Sequence, residues 1–105
     1  MPALLSDAEV AARLRHLKGW KLEGGFITKS FEFGEFMDGI AFVDAMAKIA
    51  EKEEHHPDIN VRYTTVKLSL QTHSAGGVTE WDLGLAERIE GFLAKGGRER
   101  RSKRR

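Results

Sequence analysis

Cysteine is absent from this 105-residue chain, and proline occurs only twice. The lack of cysteine excludes disulfide scaffolds and metal centres built on thiolates. No apolar run approaches the ~20 residues that a membrane-spanning helix needs. The first residues carry no basic segment and only a short apolar run, which argues against a signal peptide. We therefore expect a cytoplasmic protein that does not associate with membranes.

Net charge is also nearly absent, at +1, but the two signs are unevenly distributed. Residues 95–105 carry seven of the seventeen Lys and Arg residues and a single acid, Glu99. Such a segment cannot bury enough apolar surface to fold alone. We expect one folded domain over residues 1–95 and a basic, disordered tail over residues 96–105. The tail is interpreted as a solvated end, with weak contact to nucleic-acid phosphates as the alternative.

The first part of the chain predicts a helix followed by a β-hairpin. Ser6 and Glu9 form a capping-box pattern, and the apolar spacing beyond them predicts a helix from Asp7 to Leu17. Gly24-Gly25 favours a two-residue hairpin turn, because both central positions of such turns prefer positive φ. Residues on either side of this turn alternate between apolar and polar, as in half-buried strands.

A longer helix is predicted from Glu35 through the acidic run that ends at Glu54, and Pro57 should stop it. Its apolar face is predicted from residues at helical spacing, which are Phe36, Ile40, Val43, Ala47 and Ala50.

The apolar residues then change phase, from odd positions over 59–63 to even positions over 66–70. A regular strand cannot change the face that it buries, so two strands with a turn near residues 63–65 are predicted. A cap pattern at Thr79 to Asp82 starts the last helix, whose predicted apolar stripe is Trp81, Leu85, Ile89 and Phe92 or Leu93. The order α-β-β-α-β-β-α predicts an α+β fold, with three helices packed on one face of a four-stranded antiparallel sheet.

Three of the four histidines are predicted to lie near one another. His55 and His56 close the long helix, and His73 follows the last strand, which should return beside them if residues 58–62 pair with 66–72. Imidazoles titrate near neutral pH, so such a group could move protons. Glu51 precedes His55 by one helical turn and could orient that imidazole.

Simpler interpretations of these residues remain open. Histidines at a helix C-terminus can serve only to favour the helix dipole, and Asp82 can serve only as part of a helix cap. Three histidines and a glutamate could also hold zinc, although the adjacent His55 and His56 leave a helix in different directions.

The combined pattern Glu51-x-x-x-His55-His56-Pro57, Tyr63, Thr72-His73 and Asp82 closely resembles that of the pterin-4a-carbinolamine dehydratases. The resemblance covers about residues 5–94. Vertebrate members are also known as dimerisation cofactors of a homeodomain transcription factor. Glu54 departs from the vertebrate pattern, where a shorter acid precedes the histidine pair.

The resemblance implies a metal-free enzyme, without a cofactor, that removes water from a 4a-hydroxytetrahydropterin to give the quinonoid dihydropterin. It implies His55, His56 and His73 as catalytic residues, with Glu51 and Asp82 in support. It places the pterin substrate against His55-His56-Pro57 and Thr72-His73-Ser74-Ala75. It also implies a homodimer or homotetramer. The alternative function is an oligomeric protein-binding module, similar to a dimerisation cofactor, with incidental or no catalysis.

Overall fold

A computed structural model of the chain describes residues 2–96, and it confirms the predicted fold class and element order. The elements are α1 (Asp7–Leu14), β1 (Lys21–Glu23), β2 (Phe26–Glu32), α2 (Phe36–Glu53), β3 (Asp58–Arg62), β4 (Thr65–Leu70) and α3 (Glu80–Ala94). A single 3₁₀ turn, His73–Ala75, separates β4 from α3. Apart from residue 96, the basic tail predicted over residues 96–105 lies outside the described residues.

The four strands form one antiparallel sheet in the order β1-β2-β4-β3. The second hairpin has the predicted pairing, because its register runs from Asp58 opposite Ser69 to Arg62 opposite Thr65. Tyr63 makes the turn with a left-handed backbone at φ 51°. The end of β4 and the start of β3 therefore lie side by side, at the sheet end where the histidines were predicted to meet.

One face of the sheet carries the core. Ile27, Val66, Leu68 and Leu70 are fully buried on this face and belong to the same apolar cluster as buried residues of all three helices. The opposite face carries polar residues of the same strands, such as Lys67, and none of the three helices within residues 2–96 covers it. Among residues 2–96, no helix combines the length and apolar character needed to cross a bilayer.

The predicted apolar face of α2 was right at Ala50 and in part at Val43, which packs against the core, but it was wrong at Phe36 and Ala47. The helix buries Gly39, Phe42, Met46 and Ala50, whereas Phe36 is exposed. Ala47, also assigned to the buried face, is exposed as well. The apolar residues of α2 cover more than half of its circumference, so periodicity alone left two possible faces, and the sheet takes the one with the larger Phe42 and Met46 side chains.

The first helix is shorter than predicted, because the α-helix ends at Leu14 instead of Leu17. The chain leaves it through tight turns, with the Leu17 N–H donating to the Leu14 carbonyl at 3.0 Å. Leu17 is nevertheless buried in the core. Gly19 then takes φ 87°, a left-handed conformation that suits glycine and that redirects the chain into β1.

Hydrogen bonds to Glu90 join the core face of the sheet to α3. The Lys29 ammonium on β2 donates to Glu90 Oε2 at 2.7 Å, and the Trp20 indole N–H donates to the same oxygen at 2.9 Å. Lys29 also donates to the Lys18 carbonyl at 3.0 Å. Glu90 is thus the shared acceptor that satisfies two donors at the margin of the core.

Replacing Glu90 by Ala should lower the free energy of unfolding by about 1–3 kcal/mol, because the half-buried Lys29 and Trp20 donors lose their acceptor. Glu87→Ala is the matched control on the same helix, since Glu87 is exposed and pairs only loosely with Arg13 at 3.6 Å. It should change stability by no more than about 0.5 kcal/mol. Urea unfolding of both variants measures the difference, and equal losses would refute the role given to Glu90.

Candidate active site

The site begins where α2 ends. Glu53 is the last helical residue, and Glu54 adopts a left-handed backbone with φ 56° and ψ 39°. The His55 N–H donates to the Ala50 carbonyl at 3.1 Å, which closes the helix end. This turn takes His55 out of the helical phase, so that its side chain points towards the start of α3.

The centre of the site is the carboxylate of Asp82, which is completely buried. Its Oδ1 lies 2.5 Å from His55 Nε2. Its Oδ2 accepts from the Thr72 hydroxyl at 2.8 Å and from the Thr79 backbone N–H at 2.9 Å. The end of α2, the end of the sheet and the start of α3 therefore converge on one carboxylate.

The hydrogen bonds around Asp82 have a consistent direction. Thr72 gives its hydroxyl proton to Asp82, so the Thr79 hydroxyl donates in turn to Thr72 across 2.7 Å. The Thr79 oxygen accepts from the Trp81 N–H at 3.2 Å, as a helix N-cap does. Among residues 2–96, no buried side-chain polar atom lacks a hydrogen-bond partner, so the cost of burying this network is compensated.

A second histidine–carboxylate pair is exposed to solvent. His56 Nε2 is 2.6 Å from Glu51 Oε2, and the side chains are 61% and 77% exposed. We expected Glu51 to orient His55, and this was wrong, because Glu51 contacts His56 instead. Because Glu54 leaves the helical conformation, the i, i+4 geometry that would join Glu51 to His55 does not exist.

His73 occupies the 3₁₀ turn that follows β4, with Thr72 as the N-cap residue. A bridge between Thr72 and Gly77 closes this loop. His73 and Ser74 are exposed, while Ala75 and Pro57 are half-buried. Within the described part of the chain, no hydrogen bond or ring contact joins the His73 imidazole to His55 or His56. His73 is connected to the network only through its neighbour Thr72.

A cavity of about 470 Å³ opens beside His55, between the end of α2 and the start of α3. The Trp81 ring forms part of its wall and meets the His55 ring edge to face, with centroids 5.9 Å apart. Trp81 was predicted to lie on the buried stripe of α3, and this was wrong, because 48% of it is exposed. The complete lining is Glu53, Glu54, His55, Glu80, Trp81, Gly84, Leu85 and Arg88.

Sequence reasoning missed two other parts of the site. Thr79 was assigned only as a cap, although its hydroxyl also meets Thr72. Arg88 was not considered, although its guanidinium pairs with Glu53 at 3.1 Å across the cavity wall. Among residues 2–96, no group of three His, Asp or Glu side chains is arranged to hold a metal ion.

Comparison with known protein families identifies the family of this chain. The family model for pterin 4 alpha carbinolamine dehydratase matches residues 3–92. The chain belongs to this family.

Similar proteins cover almost the whole described domain. A protein of Roseiflexus castenholzii, provisionally named a pterin-4-alpha-carbinolamine dehydratase, is 49% identical over 93 residues, covering 89% of this chain and 100% of that protein. A relative from Mycolicibacterium smegmatis with the same provisional name is 45% identical over 92 residues, covering 88% of this chain and 98% of the relative.

Two solved structures share the fold. The transcriptional coactivator/pterin dehydratase from Brucella melitensis superposes with a TM-score of 0.77 at 38% identity, covering 84% of this chain and 96% of that one. A pterin dehydratase-like protein identified as a RuBisCO assembly factor in the alpha-carboxysome gives a TM-score of 0.60 at 29% identity, with coverage of 72% and 90%.

Asp82→Ala should lower the free energy of unfolding by about 2–4 kcal/mol, because the Asp82 half of the α3 capping box is lost and the donors of Thr72, Thr79 and His55 lose their acceptor. Glu51→Ala is the control, since it breaks the other histidine–carboxylate pair, which is exposed to solvent. It should cost less than about 0.5 kcal/mol. Denaturant unfolding distinguishes the two, and a small loss for Asp82→Ala would show that the network does not stabilise the fold.

Proposed function

We propose that this protein dehydrates a 4a-hydroxytetrahydropterin to the quinonoid dihydropterin by general acid–base catalysis of its histidines. The observation that carries the proposal is the buried Asp82 carboxylate, which holds His55 at the wall of a cavity, in a chain of this family. The reaction would return the pterin cofactor to use after an aromatic amino-acid hydroxylase has formed the hydroxylated pterin. The cytoplasm is the proposed compartment.

The reaction needs one acid and one base. Water leaves when the C4a–O bond breaks, and the departing hydroxyl requires a proton. The ring N–H proton must be taken up as the new double bond forms. Each such positioned proton transfer is typically worth ~10²–10⁴-fold in rate, and no covalent intermediate is needed.

The two histidine–carboxylate pairs suit different parts of this task. The Asp82 carboxylate accepts the Nε2–H of His55, so Nδ1 of His55 keeps the lone pair that can take up the ring proton. Asp82 then stabilises the imidazolium that results. His56 is exposed, lies beside Glu51 and is open to solvent, and we propose it as the acid. His73, on the adjoining loop, is proposed as the third catalytic histidine.

The substrate is proposed to lie in the cavity beside His55 and to extend against the two loops that follow α2 and β4. Pro57 follows the histidine pair, and Ser74 and Ala75 follow His73. Thr72 ties the second loop to Asp82, so both walls of the proposed site are positioned by the same buried carboxylate.

Single changes of His55, His56 and His73 to Ala should each lower kcat/KM for dehydration, with losses of about 10²-fold or more at His55 and His56. His56 and His73 are exposed at element ends, so their truncation should change thermal melting only modestly. His55→Ala should lower the melting temperature more, because it removes a hydrogen-bond partner of the buried Asp82. The double change at His55 and His56 should cost less than the product of the single costs, because residues that act as a unit share one transition state.

His16→Ala is the matched control, since this fourth histidine is exposed beyond α1 and should keep full activity. The substrate also dehydrates spontaneously, so rates must be corrected for the background. If the site variants all keep wild-type rates, the histidines are structural and the catalytic proposal is wrong.

We also propose that the protein is a homo-oligomer that associates through the free edge of β3. This strand pairs only with β4, and all five of its residues are exposed. Ile59 and Val61 lie on its core-side face, and the exposed Tyr63 follows. An unpaired edge with apolar side chains is a natural template for a second strand.

Light scattering at micromolar concentration should give a mass of two or more chains. Val61→Lys should shift this mass towards the monomer, because it places a charge on the apolar edge. Ser30→Lys is the control, since it introduces the same side chain on an exposed position of a central strand. A monomeric wild type, or equal masses for both variants, would contradict the proposed interface.

The alternative function is that of a protein-binding module. The structural similarity to a RuBisCO assembly factor supports this alternative. In this role the oligomer would stabilise another protein and catalysis would be absent. Contact of the basic tail with nucleic acid is the remaining partner proposal. Comparing nucleic-acid binding with and without residues 96–105 would test it.

A further inference from the structure

Trp81 has an environment that its helix packing does not explain. It follows the first residue of α3, and nearly half of it is exposed on the wall of the cavity beside His55. The other tryptophan, Trp20, is 5% exposed and donates its indole N–H to Glu90. A large aromatic side chain exposed inside a concave site gains its apolar contact only when a ligand covers it.

The Trp81 backbone is held at the start of α3, and its indole contacts the His55 ring. The Trp81 backbone N–H is fixed on the Thr79 hydroxyl at 3.2 Å, and the next residue is the buried Asp82. The indole and the His55 imidazole meet at an interplanar angle of 67°. The plane of a flat ring stacked parallel to the indole would therefore make a similar steep angle with the plane of the His55 imidazole. That ring would lie next to His55, which is proposed to take up the proton.

The remaining lining of the cavity suits a flat ring with N–H donors along one edge. Leu85 adds an apolar surface. Of the three wall glutamates, Glu53 pairs with Arg88 and Glu80 pairs with Arg13. Glu54 makes no ion pair with another residue of the described part of the chain, so its carboxylate is available to N–H donors of a ligand. A volume of about 470 Å³ is within the range of small-molecule sites.

We propose that Trp81 is the stacking platform of this site and that it sets the preference for a bicyclic pterin over a single-ring pyrimidine. The inference rests on the proposed dehydration and adds a residue that selects and positions the substrate. Trp81 exchanges no proton with it. Two fused rings cover more of the indole than one ring does, so the loss of the indole should weaken the bicyclic ligand more.

Trp81 can report on its own stacking. In a Trp20→Phe background it is the one remaining tryptophan of the chain, and titration with 7,8-dihydrobiopterin should quench its fluorescence saturably. Trp81→Leu should raise the Kd for this ligand about 5- to 150-fold, the range found for loss of base–aromatic stacking. Trp81→Phe should restore most of the affinity. Calorimetry measures binding where no tryptophan remains.

The control is Phe36→Leu, which removes an exposed aromatic ring of α2 that does not line the cavity. It should leave the Kd unchanged. In the same measurements, Trp81→Leu should reduce the preference for dihydrobiopterin over 2-amino-4-hydroxypyrimidine. In dehydration assays it should raise KM more than it lowers kcat.

The outcomes separate this inference from the function on which it rests. If the wild type binds and dehydrates the pterin, but Trp81 emission does not change and Trp81→Leu binds normally, the stacking role is wrong and the dehydratase proposal stands. If the wild type binds no pterin, both are wrong. The fluorescence titration does not depend on the folding of Trp81→Leu, so it decides the question even if that variant is unstable.

Discussion

The buried carboxylate of Asp82 is the interaction on which both the fold and the site depend. It accepts from Thr72 at the end of the sheet and from the Thr79 N–H at the start of α3, and it holds His55 beyond α2. A carboxylate without exposure to solvent is costly unless it is fully hydrogen-bonded. The requirement for partners therefore fixes the helix end, the loop after β4 and one imidazole in a single arrangement.

The same constraint distinguishes the two histidine–carboxylate pairs. The His55 side chain is 13% exposed beside a partner that is completely buried, whereas His56 and Glu51 lie in solvent. His55 is therefore held in one orientation, and His56 remains in exchange with water. This difference between a positioned histidine and an accessible one supports the proposed roles of His55 as base and His56 as acid.

The element order could be predicted because it depends on local information. Capping boxes at Ser6 and Thr79, the Gly24-Gly25 turn and the phase change before Val66 each determine a boundary within a few residues. The α2 face, the partner of Glu51 and the exposure of Trp81 could not be predicted. They depend on which side of a broadly apolar helix meets the sheet, and on a left-handed turn at Glu54, a residue type that rarely takes this conformation. The strand pairing predicted that three histidines lie near one another, and a family resemblance supplied their expected role and that of Asp82. The network among Asp82, Thr72 and Thr79 could be found only from the three-dimensional arrangement.

The most direct test of the account is the dehydration of freshly formed 4a-hydroxytetrahydropterin by the purified wild-type protein, followed by ultraviolet absorbance. If the protein is a dehydratase, the decay should accelerate in proportion to protein concentration, well above the spontaneous rate. A decay that stays at the spontaneous rate at every concentration of folded protein would contradict it.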